Sequence, residues 1–93
     1  MLRDVLLVDP NVGGLLSIVQ HALEAVAEVE PCAEFRAARA RVSTKPPDFL
    51  VTNLRLHDYN GLHLARLAAP MGTQCCIVYV ANDDLVFARG AAA

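Results

Sequence analysis

Three short and largely apolar runs constrain this chain more than any other feature of its sequence. They read VLLV at residues 5–8, FLVT at 49–52 and CCIVYV at 75–80. Apolar runs that do not alternate with polar residues are typical of strands covered on both faces, as in a parallel sheet. None approaches the about 20 residues of a membrane-spanning helix. The runs therefore predict a buried parallel sheet.

Helical spacing of apolar residues follows each run. The first helical pattern covers residues 15–26, a less regular one covers 35–42, and a third covers Leu62–Ala69 before Pro70 and Gly72. A last helix is predicted from a cap at Asn82 or Asp83 towards Arg89.

A fourth strand is weakly indicated at Val29–Cys32, where Pro31 suits only a sheet edge. Strands and helices then alternate four times along the chain. This order predicts helices on both faces of the sheet, joined by right-handed crossovers. The carboxyl ends of the strands lie at Asp9, Asn53 and Val80–Ala81, and these positions should converge on one site.

Composition narrows the class of protein. The 93 residues suffice for one small domain, and 55% hydrophobic with 19% charged residues indicates a core-forming chain. A net charge of −2 gives no electrostatic reason to expect nucleic-acid binding. Arg36, Arg39 and Arg41 form a small basic cluster, which we interpret as a solvated helix face in preference to an anion site.

The cysteines and the N-terminus indicate a cytoplasmic protein without a membrane segment. The chain has an odd number of cysteines, namely Cys32, Cys75 and Cys76. In a strand the adjacent pair would point to opposite faces. Neither a disulfide framework nor a zinc site is therefore expected. The run at residues 5–8 lies between Asp4 and Asp9, which makes it too short and too acidic for a signal peptide.

Three segments of the sequence resemble the blocks of a bacterial two-component response-regulator receiver domain. They are VLLVDPN, LVTNLRLHDYNGLHLARL and CIVYVANDD, and the resemblance covers nearly the whole chain. It implies a three-layer, flavodoxin-like α/β fold with a doubly wound parallel sheet, formed as a single domain by residues 1–93. Receiver sheets have five strands in the order 2-1-3-4-5, so this fold is expected to lack the fifth strand and the fifth helix.

The resemblance also implies a chemistry from which this sequence departs. Receivers accept a phosphoryl group from a histidine kinase on one aspartate, beside Mg²⁺ held by acidic residues. The phosphoacceptor position here is Asn53, whose amide cannot form an acyl phosphate. The second acidic position is Pro10, and the Thr/Ser position falls on Val80. The family's lysine would lie beyond residue 93, and Lys45 lies at the opposite end of the sheet.

Asp9 is the one family carboxylate that remains, and alone it is a weak candidate for holding Mg²⁺. We therefore expect a pseudo-receiver that acts in signal transduction by protein–protein interaction, with no catalytic residue, no cofactor and no enzymatic activity. The alternative is an active receiver that is phosphorylated with Mg²⁺ at Asp9 or Asp58. A small-ligand binder that uses the same pocket is a third hypothesis.

Two further expectations concern partners and other polar residues. The apolar strand at residues 75–80 would lie at a sheet edge near an uncovered helix face, which predicts a twofold homodimer or, next, a domain swap. His57, Asp58 and His63 are interpreted as exposed polar residues in preference to a metal site, His21 as a helix-surface residue, and Gly13–Gly14 as loop glycines.

Overall fold

The computed structural model describes residues 2–80, with the exception of the side chains of residues 12–15. The helix predicted from Asn82 or Asp83 lies outside the described residues. Within them no helix has the length and apolar character that a membrane crossing requires. In chain order the elements are β1 (Arg3–Val8), α1 (Val12–Leu23), β2 (Ala27–Cys32), α2 (Phe35–Thr44), β3 (Phe49–Asn53), β4 (Arg55–Leu56), β5 (Tyr59–Asn60), α3 (Gly61–Ala68) and β6 (Cys75–Tyr79).

Four of the strands form one parallel sheet in the order β2-β1-β3-β6. This order confirms the predicted α/β, flavodoxin-like arrangement, because the first strand lies inside the sheet and the second lies at an edge. The run of residues 5–8 in β1 is buried throughout, as expected for a strand covered on both faces.

Alternate residues of the central strands face two different layers. Leu6, Val8 and Leu50 pack in one core with residues of α2 and α3, including Val42 and Leu64. The intervening residues face the opposite side of the sheet, where α1 contacts β1 and β2. The sheet is thus the middle of three layers.

Two features fix the start of α3 against the end of β3. The Asn60 side chain accepts a hydrogen bond from the Leu62 N–H at 2.8 Å and so caps the helix. A Cβ atom on Gly61 would lie 2.3 Å from the backbone oxygen of Asn53, so only glycine fits there. A 3₁₀ turn at Ala69–Met71 then ends the helix, and Gly72 follows it with φ 102°.

The bounds of two elements and the presence of one strand pair differ from the sequence predictions. β2 begins at Ala27, two residues earlier than expected, and is the predicted edge strand. The α1 helix covers Val12–Leu23, so Gly13 and Gly14 lie in the helix and not in a loop, and Val26 lies beyond the helix end. Val26 and Ile18 are both exposed, although the apolar pattern placed them on the core-facing side. The antiparallel β4–β5 pair was not predicted, because strands of two residues carry no readable alternation.

The interpretation of the arginine cluster was wrong for one of its members. Arg41 Nη2 lies 2.7 Å from Asp4 Oδ2, and its Nε lies 2.7 Å from Glu30 Oε2, with only 17% of the side chain exposed. Burial lowers the pKa of the Arg41 guanidinium, but the hydrogen bonds and charges of Asp4 and Glu30 outweigh it and leave this pKa raised. The pairing ties α2 to β1 and β2. Arg36 and Arg39 are exposed, as expected.

Candidate functional site

A small polar cluster lies at the carboxyl ends of the parallel strands. Asp9 follows β1 directly and Asn53 is the last residue of β3, and both are buried, with 8% and 7% of their surfaces exposed. The two strands are neighbours in the sheet, so their carboxyl ends meet at the same edge. The predicted convergence of these two side chains is therefore confirmed.

Neutral donors surround the Asp9 carboxylate. Its Oδ1 accepts the Asn11 N–H at 2.8 Å, and its Oδ2 accepts the Asn53 side-chain amide at 3.4 Å. The Tyr79 hydroxyl donates a short hydrogen bond to the same Oδ2 atom. The Asn53 side-chain oxygen accepts the Arg55 N–H at 3.0 Å, which fixes the direction in which the amide group points.

Tyr79 is the member of the site that sequence reasoning missed. It is the last residue of β6 and pairs in register with Asn53, whereas Val80 follows the strand and is exposed. Tyr79 thus reaches the cluster from the strand end, one residue before the position that the resemblance matches to a Thr or Ser. The signal was present in the sequence as a hydroxyl-bearing aromatic residue in an otherwise apolar run.

The environment of Tyr79 keeps its hydroxyl protonated. Burial raises the pKa of the phenol, and so do the hydrogen bond to Asp9 and the negative charge of that carboxylate. The pKa lies far above physiological pH as a result, so Tyr79 remains a hydrogen-bond donor. Because β3 lies between β1 and β6, this bond connects two strands that are not neighbours in the sheet.

The residues present do not fit the Mg²⁺ ion that a receiver site holds. Mg²⁺ needs several oxygen ligands in octahedral geometry, usually with one or two carboxylates. Asp9 supplies the one carboxylate here, and an amide nitrogen and a phenol hydroxyl point at its Oδ2. Pro10 contributes no side-chain oxygen. The donor set therefore suits a neutral hydrogen-bonded cluster better than a divalent cation.

The other residues considered as ligands do not form a metal centre. No three His, Cys, Asp or Glu residues are placed to hold an ion anywhere in the described range 2–80. His57 and Asp58 are exposed in the β4–β5 turn, where His57 has φ 57°, and the His63 ring lies 5.4 Å from that of Phe35. His21 is exposed and lies 3.9 Å from Glu24.

The thiol groups are free in the described structure. Cys32 and Cys76 are half-buried, and Cys75 is exposed. Burial raises the pKa of the Cys76 thiol, followed by a smaller contribution from the neighbouring Cys75. The Cys76 environment is therefore that of an unreactive thiol.

Comparison with known proteins supports the fold. No protein-family model matches the sequence, and the search of curated proteins found no match. Among solved structures, the chain is similar to the crystal structure of adenylate cyclase from Rhodopirellula baltica, with 22% identity and a TM-score of 0.71. The match covers 99% of this chain and 69% of that one. At this identity the likeness shows the shared α/β fold alone.

Proposed function

We propose that this chain is a receiver-like signalling domain that is not phosphorylated at Asn53 and that acts through contact with a protein partner. The observation that carries the proposal is the Asp9–Asn53–Tyr79 cluster, in which two neutral donors share one carboxylate oxygen. Phosphoryl transfer to a side chain needs a nucleophilic oxygen and a means of stabilising the developing charge.

The first requirement is unmet at Asn53. Its amide oxygen is a poor nucleophile and already accepts the Arg55 N–H. An amide also lacks the negative charge with which an aspartate would help to attract a cation. The side chain instead donates to Asp9, so it has a structural role at the end of β3.

The second requirement is unmet at Asp9. A cation at Oδ2 would have to displace the Tyr79 hydroxyl and the Asn53 amide, both of which donate to that atom. Hydrogen bonds to charged groups contribute about 1.5–3 kcal/mol each, and displacing them offsets the gain from cation binding. The cluster therefore favours a site that is stable without a metal ion.

The alternative of an active receiver is less well supported. Asp9 is buried beneath its donors, which hinders attack on a phosphoryl donor. Asp58 is exposed in the β4–β5 turn and does not lie at the end of a strand of the parallel sheet. The cyclase activity named for the Rhodopirellula baltica protein is a property of that protein, because the likeness to this chain is one of fold.

Incubation with acetyl phosphate and Mg²⁺, read by intact mass, tests the proposal. The unchanged chain should gain no phosphoryl group. Asn53→Asp should also stay unlabelled, because it restores the nucleophile but leaves Pro10 in place and Tyr79 bonded to Asp9. A mass gain of one phosphoryl group on the unchanged chain would contradict the proposal, and a gain on the variant alone would show that Asn53 is the only defect.

We further propose that a second copy of the chain is one such protein partner. β6 lies at the edge of the described sheet, and 53% of Ile77 is exposed in it. An apolar depression of about 360 Å³ adjoins this strand, with Ile77, Val51, Phe49 and Val26 among its lining residues. Exposed apolar surface beside a strand edge is typical of an interface.

Light scattering over a range of concentrations tests the homodimer. The chain should approach twice its mass of 10.0 kDa as concentration rises. Ile77→Lys should shift the equilibrium to the monomer. Met71→Lys changes another exposed apolar residue, outside the depression, and should leave the dimer intact. A concentration-independent mass of 10.0 kDa for the unchanged chain would contradict the proposal.

A further inference from the structure

A second depression, of about 390 Å³, lies between α2 and the β4–β5 pair. It shares no residue with the Asp9–Asn53–Tyr79 cluster or with the apolar depression beside β6. Guanidinium groups, a hydroxyl group and aromatic rings line it together. The lining residues are Phe35, Arg36, Arg39, Ala40, Ser43 and Tyr59.

The two arginines of this depression lack the partners that the third arginine of the helix has. Arg41 is held between Asp4 and Glu30. Arg36 and Arg39 are exposed, and in the part of the chain that the structure describes neither forms an ion pair with a carboxylate. Like charges three residues apart on a helix are neighbours and repel each other. An anion bound between them would remove this repulsion.

An aromatic stack forms another part of the lining. The rings of Phe35 and Tyr59 stack with 4.3 Å between centroids and 6° between planes. Phe35 is buried, whereas 39% of Tyr59 is exposed. The stack fixes the Tyr59 ring in place, so the ring offers apolar surface with little loss of side-chain freedom on binding. Tyrosine and arginine are the residue types that most often dominate binding energy at protein interfaces.

Charge indicates the class of partner. The chain carries a net charge of −2, so this basic surface is a local exception that would attract an acidic group. Nucleic acid is disfavoured because its binding domains are usually basic overall. Guanidinium groups bind carboxylates through paired hydrogen bonds, and the adjacent ring suits an apolar or aromatic side chain.

We infer that the depression binds an acidic segment of a partner protein. Arg36 and Arg39 pair with carboxylates of that segment, and Tyr59 packs against a neighbouring side chain. The inference rests on the proposed function only in taking the partner to be a protein. It does not involve the phosphoacceptor position.

Fluorescence polarisation with a labelled peptide tests the inference. The probe is fluorescein-labelled Glu-Glu-Tyr-Glu-Glu, titrated with the full 93-residue chain at low salt. Arg36→Gln and Arg39→Gln should each weaken binding at least fivefold, and Tyr59→Ala should weaken it similarly. Lys45→Gln removes the same charge from a residue that follows the same helix but lies outside the depression, and it should change binding less than twofold.

Several outcomes would overturn the inference. They are the absence of binding to the unchanged chain, equal binding of a Lys-Lys-Tyr-Lys-Lys peptide, and equal weakening by Lys45→Gln. The depression would be a small-anion site instead if inorganic phosphate binds and the peptide does not. Amide chemical shifts of residues 35–43 measure the binding of phosphate. Asn53→Asp should leave peptide binding unchanged. A failure of the peptide-binding proposal can therefore be distinguished from a failure of the proposal that the chain is not phosphorylated.

Discussion

The two ends of β1 each hold a carboxylate, and the two carboxylates are stabilised in different ways. Near the start of the strand, the Asp4 carboxylate pairs with the Arg41 guanidinium. After the end of the strand, Asp9 is surrounded by a backbone N–H, an amide and a phenol, all of them neutral. The Asp4 carboxylate thus has a cationic partner, whereas the Asp9 carboxylate has only neutral hydrogen-bond donors.

This difference separates a carboxylate that joins elements of the fold from one that lies in the candidate site. A partly buried carboxylate loses part of its hydration, and a cationic partner such as the one Asp4 has offsets that cost. The resemblance matches Asp9 to an acidic residue that holds Mg²⁺ in receivers, and in this structure neutral donors contact its oxygens. The site thus has the one negative charge that the resemblance implies at Asp9. It lacks the second acidic side chain and the nucleophilic carboxylate that phosphorylation would need.

The largest expected effect is at the charged end. Arg41→Met removes the guanidinium and leaves Asp4 partly buried without its cation, so the free energy of unfolding should fall by about 2–3 kcal/mol. Urea unfolding followed by circular dichroism measures this change. Arg39→Met, on the exposed face of the same helix, should change stability by no more than about 0.5 kcal/mol. Equal effects of the two variants would mean that the Arg41 pairing contributes nothing specific.

A smaller effect is expected at the neutral end. Tyr79→Phe keeps the ring but removes the hydroxyl that donates to Asp9, and it should lower the free energy of unfolding by about 1–2 kcal/mol. Tyr59→Phe, whose ring stacks on Phe35, is the matched control and should have little effect. If Tyr79→Phe is as stable as the unchanged chain, the hydrogen bond from Tyr79 to Asp9 does not contribute to stability.

The pH dependence of this difference has a definite sign. The pKa of Tyr79 is raised on folding, chiefly by burial and then by Asp9, so its contribution to stability is complete below the unfolded tyrosine pKa of about 10. Above that pH the unfolded chain loses the proton first, and the contribution declines. The gap in stability between the unchanged chain and Tyr79→Phe should therefore narrow as pH rises above about 10, and a widening gap would contradict this assignment.

Sequence reasoning succeeded where apolar patterns and the geometry of parallel strands decide the placement, and it failed where side-chain reach depends on register. The apolar runs predicted β1, β3 and β6, and the order of elements predicted the sheet, because burial on both faces requires those patterns. The convergence of Asp9 and Asn53 followed from the geometry of parallel strands. Tyr79 was missed because its reach to Asp9 depends on how far β6 is shifted along β3.

The pairing of Arg41 was missed for a related reason. Its partners lie in two different strands, 37 and 11 residues away along the chain. Only the packing of α2 against β1 and β2 brings them within reach, and the arginine pattern alone is equally compatible with a solvated face. The same pattern is correct for Arg36 and Arg39, which are exposed.

Titration of the unchanged chain with Mg²⁺ tests the central claim most directly, because that claim is that neutral donors occupy the Asp9 oxygens. Calorimetry or amide chemical shifts of residues 9–11, 53–55 and 79 should show no saturable binding below the millimolar range. Tyr79→Phe removes the hydroxyl that donates to Asp9 Oδ2, so this variant should bind Mg²⁺ at least as tightly as the unchanged chain. Sub-millimolar affinity in the unchanged chain, with shifts centred on Asp9, would contradict the account, because a cation would then displace the donors that define the site.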